Sequence, residues 1–434
     1  MPSLKSLLNP EHTIARLIRA GVSAPESPAP ESPAPESAVP ESAAKARRFA
    51  AGAQRLIDAG HADCTEAIAI FVPGRIEVLG KHTDYCGGRS LVCTVDRGMC
   101  FVGVRTSAPG VQFHAIDASE SATLSAPQTS GHWSNYPATV VKRIERNFPD
   151  VPLACAVAMT SDLPPASGLS SSSAMVIGTF LTIAGLHGID QTDAYRRHIH
   201  SNEDLAAYLA CHENGQSFGA LAGDKGVGTF GGSQDHTAIL CCKPGRLSVY
   251  SFCPVLHERD VSLPDELCFV IVGSGVLAEK TGDALEKYNA VSLRARRIVD
   301  RWNATRSPQA AVLREVGEID LDHSLATRRT QFLAESTRII PAAADAIEKG
   351  DWASLGSLVD DSQHLAERCL LNQIPETIEL QQRLRHSGAI AASAFGAGFG
   401  GSVWGLFDRA SAERFVSQTP GAFITRPSCP AFRL

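Results

Sequence analysis

The sequence has few aromatic residues, no long apolar run and no excess of positive charge. Aromatic side chains make up 6% of its 434 residues while 44% are hydrophobic, so a sizeable core can be built mainly from aliphatic side chains. No apolar run reaches the ~18–20 residues that a spanning helix needs. The net charge of −6 argues against a nucleic-acid backbone as the main partner. We therefore expect neither a membrane nor a nucleic acid as a partner.

The twelve cysteines include no Cys-x-x-Cys pair. Several lie inside apolar, strand-like runs, among them Cys93, Cys155 and Cys268, and are expected to be reduced core thiols. A zinc site is not expected, because no second pair of ligands occurs at the spacing that zinc sites use. The first twenty residues contain no apolar segment of the signal-peptide type, so we expect a cytoplasmic protein.

Residues 22–44 repeat a Pro-Glu-Ser-Pro-Ala unit. Proline removes backbone donors and the glutamates repel one another, so this composition disfavours burial. We expect residues 1–48 to form a disordered tail with a short helix before the repeat. Deletion of this tail is expected to leave folding and activity nearly intact. A protein partner that binds the tail is left open.

From Phe49 onward the sequence mixes strand and helix patterns. Apolar runs predict strands at 67–72, 91–95, 99–104, 153–160, 267–272, 389–395 and 403–407. Pro73-Gly74 is expected to end the first of these strands. The irregular alternation favours an α+β fold over a regular βαβ succession. It predicts two lobes, at residues 49–254 and 255–434.

A glycine and four serines, Gly168-Leu169-Ser170-Ser171-Ser172-Ser173, open a long apolar helix. A helix start leaves about four backbone N–H groups without intrahelical partners and carries roughly half a positive charge. Small residues there let a phosphate approach the backbone. A single serine would suffice to cap a buried helix, so four in a row indicate hydroxyls that contact a ligand or a metal.

Glu213 lies on the apolar stripe of a second helix, with Leu205 and Leu209 at i−8 and i−4. A buried carboxylate is costly unless it is paired with a cation or a metal. The residues alone leave two interpretations open, a metal ligand and a polar residue near the end of the helix.

Four segments, in this order along the chain, resemble the motifs of galactokinases within the GHMP small-molecule kinases. They are Pro73 to Tyr85 with Gly87-Gly88, Pro164 to Ala174, Gly231 to His236, and Phe395 to Ser402. The glycines near 400 also contain G-x-G-x-x-G, but they lead into a strand-like segment, so a dinucleotide site is not expected. The resemblance covers roughly residues 49–434.

The resemblance implies a two-lobed α+β fold, with a mixed-sheet N-terminal lobe carrying the phosphate-binding helix and an α+β C-terminal lobe. It implies an ATP- and Mg²⁺-dependent kinase acting on the anomeric hydroxyl of galactose or a close relative. Two alternatives remain, a uronic-acid or pentose 1-kinase on the same scaffold and a catalytically silent sensor that binds galactose and ATP.

By the same resemblance, Arg75 and Asp235 are the catalytic pair. The sugar-binding positions are Lys81, His82, Asp84 and Tyr288. The ATP-binding positions are Gly168, Leu169, Ser170, Ser171, Ser172, Ser173 and Trp133, although a tryptophan is as often a packing residue. Mg²⁺ is assigned to Ser172 and Glu213.

The chain departs from the galactokinase pattern at two positions, with Glu77 in place of the usual asparagine and Lys81 in place of the usual glutamate. An ammonium group donates hydrogen bonds and cannot accept them. One hypothesis is that Lys81 favours a sugar with an acceptor, such as a uronate; the other is that Lys81 points outward and galactose is retained. The spacer 217–229 is also longer than the resemblance leads one to expect, and its role is left open.

Overall fold

The computed structural model describes residues 2–22, 41–124, 132–164, 167–277, 282–396 and 398–434. Most of the Pro-Glu-Ser repeat and residues 165, 166 and 397 of the motifs lie outside this part of the chain. The described residues form two β-sheets with helices packed against them, which confirms the α+β fold class. No helix in these ranges is long and apolar enough to cross a membrane.

The strands are β1 (Ile68–Leu79), β2 (Arg89–Arg105), β3 (Gly110–Ala115), β4 (Glu120–Thr123), β5 (Ala154–Ser161), β6 (Arg246–Ser251), β7 (Leu256–Ser262), β8 (Leu267–Gly273), β9 (Ala391–Ala394), β10 (Ser402–Asp408), β11 (Phe423–Thr425) and β12 (Phe432–Arg433). The first sheet has the order β12-β1-β2-β5-β3-β4. Strand β6 pairs with β2 on one side and with β7 on the other. It is mixed, because β3 and β5 are parallel and its other pairs are antiparallel. The second sheet, β11-β8-β10-β9, is antiparallel.

The helices are α1 (Leu4–Leu7), α2 (Pro10–Arg19), α3 (Glu41–Leu56), α4 (Asn135–Asn147), α5 (Ser171–His187), α6 (Asp193–His198), α7 (Asn202–Asn214), α8 (Gln234–Cys241), α9 (Gly282–Thr305), α10 (His323–Leu333), α11 (Ile340–Lys349), α12 (Trp352–Leu365), α13 (Pro375–His386) and α14 (Arg409–Ser417). Ser201 caps α7, since its side chain accepts from the backbone amide of Asp204. Helix α5 packs on β1 and β2, and twelve of its residues are buried.

Strand β1 continues through Pro73-Gly74, where the sequence predicts its end. The register with β2 shifts between Pro73 and Arg75, and proline, which donates no ladder hydrogen bond, is tolerated at such a bulge. The two strands predicted at 91–95 and 99–104 are likewise one strand, β2. Because β1 continues, Arg75 and Glu77 both lie on a buried strand and share one face of it.

The start of the chain is packed against the first sheet. Leu4, Leu7, Leu17 and Phe49 are buried in one cluster with residues of β1, β2 and β5. The expectation of a disordered tail over residues 1–48 is therefore wrong for residues 2–22 and 41–48, which form helices and contribute to this cluster. The short helices carry leucines on one side, and this amphipathic pattern outweighs the composition of the neighbouring repeat.

Pro2 and Leu434 form backbone hydrogen bonds at the start of β1 and just before it. The backbone N–H of Ala67 donates to the carbonyl of Pro2 at 2.8 Å, and Leu434 donates to Ala69 at 2.9 Å. Strand β12 pairs with β1, and β7 joins the first sheet through β6. Strand pairing therefore does not follow the predicted division at residue 255, and the lobe boundaries stay a prediction.

Candidate active site

A cavity lies where β1, the loop after it, the start of α8 and the end of β9 come together. Its lining is mainly polar and comprises Arg75, Glu77, His82, Asp84, Tyr85, Ser173, Glu213, Thr229, Gly231, Gly232, Gln234, Asp235, His236, Tyr288 and Gly396. Both residues predicted as catalytic and three of the four predicted sugar contacts border it.

Arg75 and Asp235 form an ion pair in this cavity. The Nε and Nη2 atoms of Arg75 lie 2.8 and 2.7 Å from Oδ1 of Asp235. Nη1 of Arg75 donates to the carbonyl of Gly168, and the Arg75 amide donates to Leu169 at 3.2 Å. Asp235 lies in the first turn of α8, where the helix dipole favours a negative charge. Arg75 thus connects the carboxylate of Asp235 to the loop before α5.

Asp84, His82 and Tyr288 lie on another side of the cavity. Oδ1 of Asp84 accepts from the Tyr85 amide at 2.9 Å, and Oδ2 accepts from the Gln234 amide at 3.1 Å. Burial raises the pKa of the Asp84 carboxyl. Nδ1 of His82 is 2.7 Å from the Tyr85 hydroxyl, and its ring centroid is 5.3 Å from that of Tyr288. The structure brings these three predicted sugar contacts together.

The serine-rich turn places a helix start beside this cavity. Gly168 and Ser170 both have left-handed backbones, with φ of 80° and 62°. Oγ of Ser170 is buried and has no hydrogen-bond partner among the described residues. The Ser402 amide, from the glycine-rich segment near 400, donates to Ser167 at 3.1 Å. The backbone therefore turns at Ser170, where α5 begins without a side-chain cap, and a helix start of this kind leaves N–H groups that can bind an anion.

Glu213 is buried on α7, as the sequence predicts. Its Oε1 accepts from Oγ of Ser173 at 2.7 Å and lies 3.4 Å from Nε2 of His236. The predicted partner was Ser172; successive side chains on a helix point about 100° apart, and it is Ser173 whose hydroxyl meets Glu213. The described residues contain no group of three or more His, Cys, Asp or Glu side chains that could hold a metal ion.

Lys81 and Trp133 do not line this cavity. Lys81 is fully buried, and its Nζ donates to Oγ of Ser393 at 2.7 Å, so it points neither to solvent nor to the cavity. Trp133 packs against Phe113 with ring centroids 5.7 Å apart, and its indole N–H donates to Glu120. Its assignment to ATP stays a prediction.

Sequence reasoning missed Gln234 and the functional position of Glu77. Nε2 of the Gln234 side chain donates to Oε2 of Glu77 at 2.7 Å. The backbone N–H of Gln234 donates to Oδ2 of Asp84. Burial raises the pKa of Glu77 to about 7, against the opposing effects of Lys81 and Arg75. The departure of Glu77 from the galactokinase pattern was the signal that could have found it.

The long spacer 217–229 is fixed by a buried cation. Arg143 on α4 is fully buried, and its guanidinium donates to Oδ1 of Asp224 at 3.1 Å and to the carbonyl of Cys211 at 3.0 Å. At the other end of the spacer, the Gly228 carbonyl accepts from Asn289 at 3.1 Å. Thr229 then borders the cavity. The spacer is therefore tied to α4 and α9 at the cavity rim.

Comparisons with known proteins agree with this arrangement. Residues 60–105 match the galactokinase galactose-binding signature, 135–220 the GHMP kinases N terminal domain, and 343–423 the GHMP kinases C terminal family. A galactokinase of Haemophilus influenzae (strain PittGG) is 25% identical over 381 residues, which cover 84% of this chain and 91% of that protein. A galactokinase of Actinobacillus pleuropneumoniae serotype 5b is 27% identical over 352 residues, covering 79% and 86%.

The fold is shared with solved kinases. The Lactococcus lactis galactokinase complexed with galactose has a TM-score of 0.69 at 18% identity, over 88% of this chain and 99% of that one. The L. major mevalonate kinase has a TM-score of 0.51 at 14% identity, over 83% and 96%. The chain thus carries matches to both GHMP kinase domain models and to the galactokinase signature. It is similar to galactokinases over most of its length and is a galactokinase-like sugar kinase.

Proposed function

We propose that this chain transfers the terminal phosphoryl group of ATP to the anomeric hydroxyl of galactose or a closely related monosaccharide. The observation that carries the proposal is the ion pair of Arg75 and Asp235, which joins a polar cavity to the start of α5. Phosphoryl transfer depends on alignment and charge neutralisation more than on covalent chemistry of the protein. The ion pair fixes the position of the Asp235 carboxylate, which serves alignment. The helix start beside it offers N–H groups and a partial positive charge, which serve charge neutralisation.

On the sugar side, the cavity offers groups that suit a polyhydroxy ligand. Asp84 supplies a carboxylate, and His82 and Tyr288 supply rings and polar atoms at its edge. The backbone N–H groups of Tyr85 and Gln234 donate to the carboxylate of Asp84 and fix its orientation. A fixed acceptor favours one orientation of the sugar over others.

On the phosphate side, the first turn of α5 has the features of a phosphate cradle. Its backbone N–H groups, the buried hydroxyl of Ser170 and the small residues before it would bind phosphate oxygens. Glu213 with a serine hydroxyl, from Ser173 or Ser172, is an oxygen donor set that suits Mg²⁺. When bound, this ion would neutralise phosphate charge; the protein's part is to hold the carboxylate that contacts it.

In the reaction, Asp235 would accept the proton of the anomeric hydroxyl as that oxygen attacks the terminal phosphorus. The O–H bond breaks, a new O–P bond forms and ADP leaves. Arg75 would keep Asp235 oriented and stabilise negative charge that develops nearby.

A coupled ADP-release assay with Mg-ATP tests this proposal across galactose, arabinose, glucuronate, galacturonate and N-acetylgalactosamine. Asp235→Asn should lower kcat by about 10²- to 10⁴-fold and leave nucleotide binding intact, because it removes only the proton acceptor. Asp265→Asn, the same change at a fully exposed side chain, should have no effect. No turnover on any sugar, with galactose and ATP still bound in calorimetry, would favour the sensor alternative.

A further inference from the structure

Glu77 is a buried carboxylate beside the cavity to which the proposed mechanism gives no role. It lies two residues after Arg75 on the same face of β1, and its side chain borders the cavity that holds Asp84 and Asp235. Only 4% of the residue is exposed. A carboxylate in such a place is costly unless its oxygens receive hydrogen bonds.

One oxygen of Glu77 lacks such a donor. Oε2 accepts from Nε2 of Gln234 at 2.7 Å, whereas Oε1 is buried and has no hydrogen-bond partner among the described residues. The neighbouring Asp84 differs, because backbone N–H groups already donate to both of its oxygens. Glu77 therefore keeps an acceptor that no donor from the described residues satisfies, and a buried acceptor in this state is destabilising until a donor reaches it.

The residues next to the Glu77 carboxylate leave space for it. A Cβ on Gly396 would lie 2.2 and 2.4 Å from Oε2 and Oε1 of Glu77, so only glycine fits beside the acid. Arg75 and Lys81 both lower the pKa of Glu77 and offset part of the burial. Two cations therefore lie near the carboxylate of Glu77, but neither donates a hydrogen bond to its Oε1.

Lys81 cannot serve as the sugar contact that its motif position suggests. It is fully buried, it donates to Ser393, and Ser393 in turn donates to Oε1 of Gln363 at 2.9 Å. The galactokinase pattern has an acid at position 81 and an asparagine at position 77. In this chain the acid is at position 77 and the cation at position 81 is withdrawn from the cavity.

We propose that Glu77 is a specificity-determining residue, whose Oε1 accepts a hydrogen bond from one hydroxyl of the sugar and which repels sugars that carry a carboxylate there. This inference rests on the proposed sugar-kinase function. It reverses the uronate hypothesis drawn from Lys81, because Lys81 does not border the cavity whereas the carboxylate of Glu77 does. Neutral hexoses are the substrate class that it selects.

The test compares the full-length protein with Glu77→Gln at pH 8, by kcat/KM for galactose, galacturonate and each monodeoxygalactose. The wild type should prefer galactose to galacturonate, and the variant should reduce this preference about tenfold, as expected when a charged acceptor becomes neutral. For the wild type, one monodeoxygalactose should have a much lower kcat/KM than galactose, because it lacks the hydroxyl that donates to Glu77. In the variant, the difference in kcat/KM between this sugar and galactose should be smaller. Glu335→Gln is the control, since this buried acid binds the Gly80 amide and Ser362 outside the cavity lining and should leave these ratios unchanged.

Unchanged ratios in an active Glu77→Gln protein would overturn the role of Glu77 and leave the kinase proposal standing. If no sugar turns over, the kinase proposal fails. The role of Glu77 is then decided by calorimetry, from the ratios between the dissociation constants of galactose and those of the other sugars. No sugar binding at all would overturn both. If Glu77→Gln does not fold, Glu77→Asp replaces it, and should keep the discrimination against galacturonate while it lowers kcat/KM for galactose.

Discussion

Replacing Glu77 by glutamine should make the stability of the folded protein less dependent on pH. Burial raises the pKa of Glu77 from 4.5 to about 7. Below pH 4.5 the carboxyl is protonated in both the folded and the unfolded state, so it has no effect on stability. Between these values the unfolded chain releases the proton and the folded protein retains it, so stability falls as the pH rises. Above pH 7 the loss is complete.

The size of this effect follows from the shift. A difference of 2.5 pKa units (7 minus 4.5) corresponds to about 3 kcal/mol, most of it between pH 5 and pH 8. At low pH the protonated acid resembles the carboxamide of glutamine, so wild type and Glu77→Gln should have similar free energies of unfolding. At pH 8 the variant should be more stable than the wild type by about 2–3 kcal/mol.

Urea unfolding of both proteins at pH 5, 6, 7 and 8 checks this prediction. Other groups titrate in the same range, including Asp96, whose pKa burial raises to about 6, but both proteins share them. The difference between the two proteins therefore isolates Glu77. A difference that stays constant across the series would show that the native carboxyl is not held neutral, and the reasoning from burial would be refuted.

Three further predictions concern packing. Leu17→Ala should lower the free energy of unfolding by about 2–5 kcal/mol, because the side chain is fully buried in the cluster that α1, α2 and α3 form beside the first sheet. Urea unfolding measures it, and a change below about 1 kcal/mol would contradict the described core. Asp224→Asn should lower stability by about 1–3 kcal/mol, since it leaves the buried Arg143 guanidinium without its anion, and a neutral result would refute this. Gly396→Ala should lower kcat/KM for galactose by displacing the adjacent carboxylate, whereas Gly273→Ala, with open space around it, should not; equal effects would argue against the crowding.

The proposed catalytic pair could be predicted only through the resemblance. Arg75 and Asp235 are far apart in the sequence, and no spacing rule brings them together, yet the order of the motifs placed both in one cavity with Asp84. The α+β class was predictable from the irregular alternation of patterns, and it is confirmed.

What failed depended on tertiary contacts. Pro73-Gly74 ends a strand by local preference, but here it forms a bulge that the loop before α5 covers, with Arg75 donating to Leu169. The partner of Glu213 among four consecutive serines depends on the rotation of α5, which composition does not determine. The direction of Lys81 likewise depended on Ser393, distant in sequence.

Strand β1 pairs with β12 in its first half, at Ile70 and Phe71, and Pro2 accepts a hydrogen bond from Ala67 just before the strand begins. During synthesis on the ribosome, residues 432–434 emerge several hundred residues after β1 has left the exit tunnel. Until then the nascent chain exposes the open edge of the strand that carries Arg75, and an exposed edge invites pairing with other chains. The pairing of β12 with β1 should therefore form only after residue 433 has left the tunnel, and a nascent chain stalled shortly before residue 432 should be the form most in need of a chaperone.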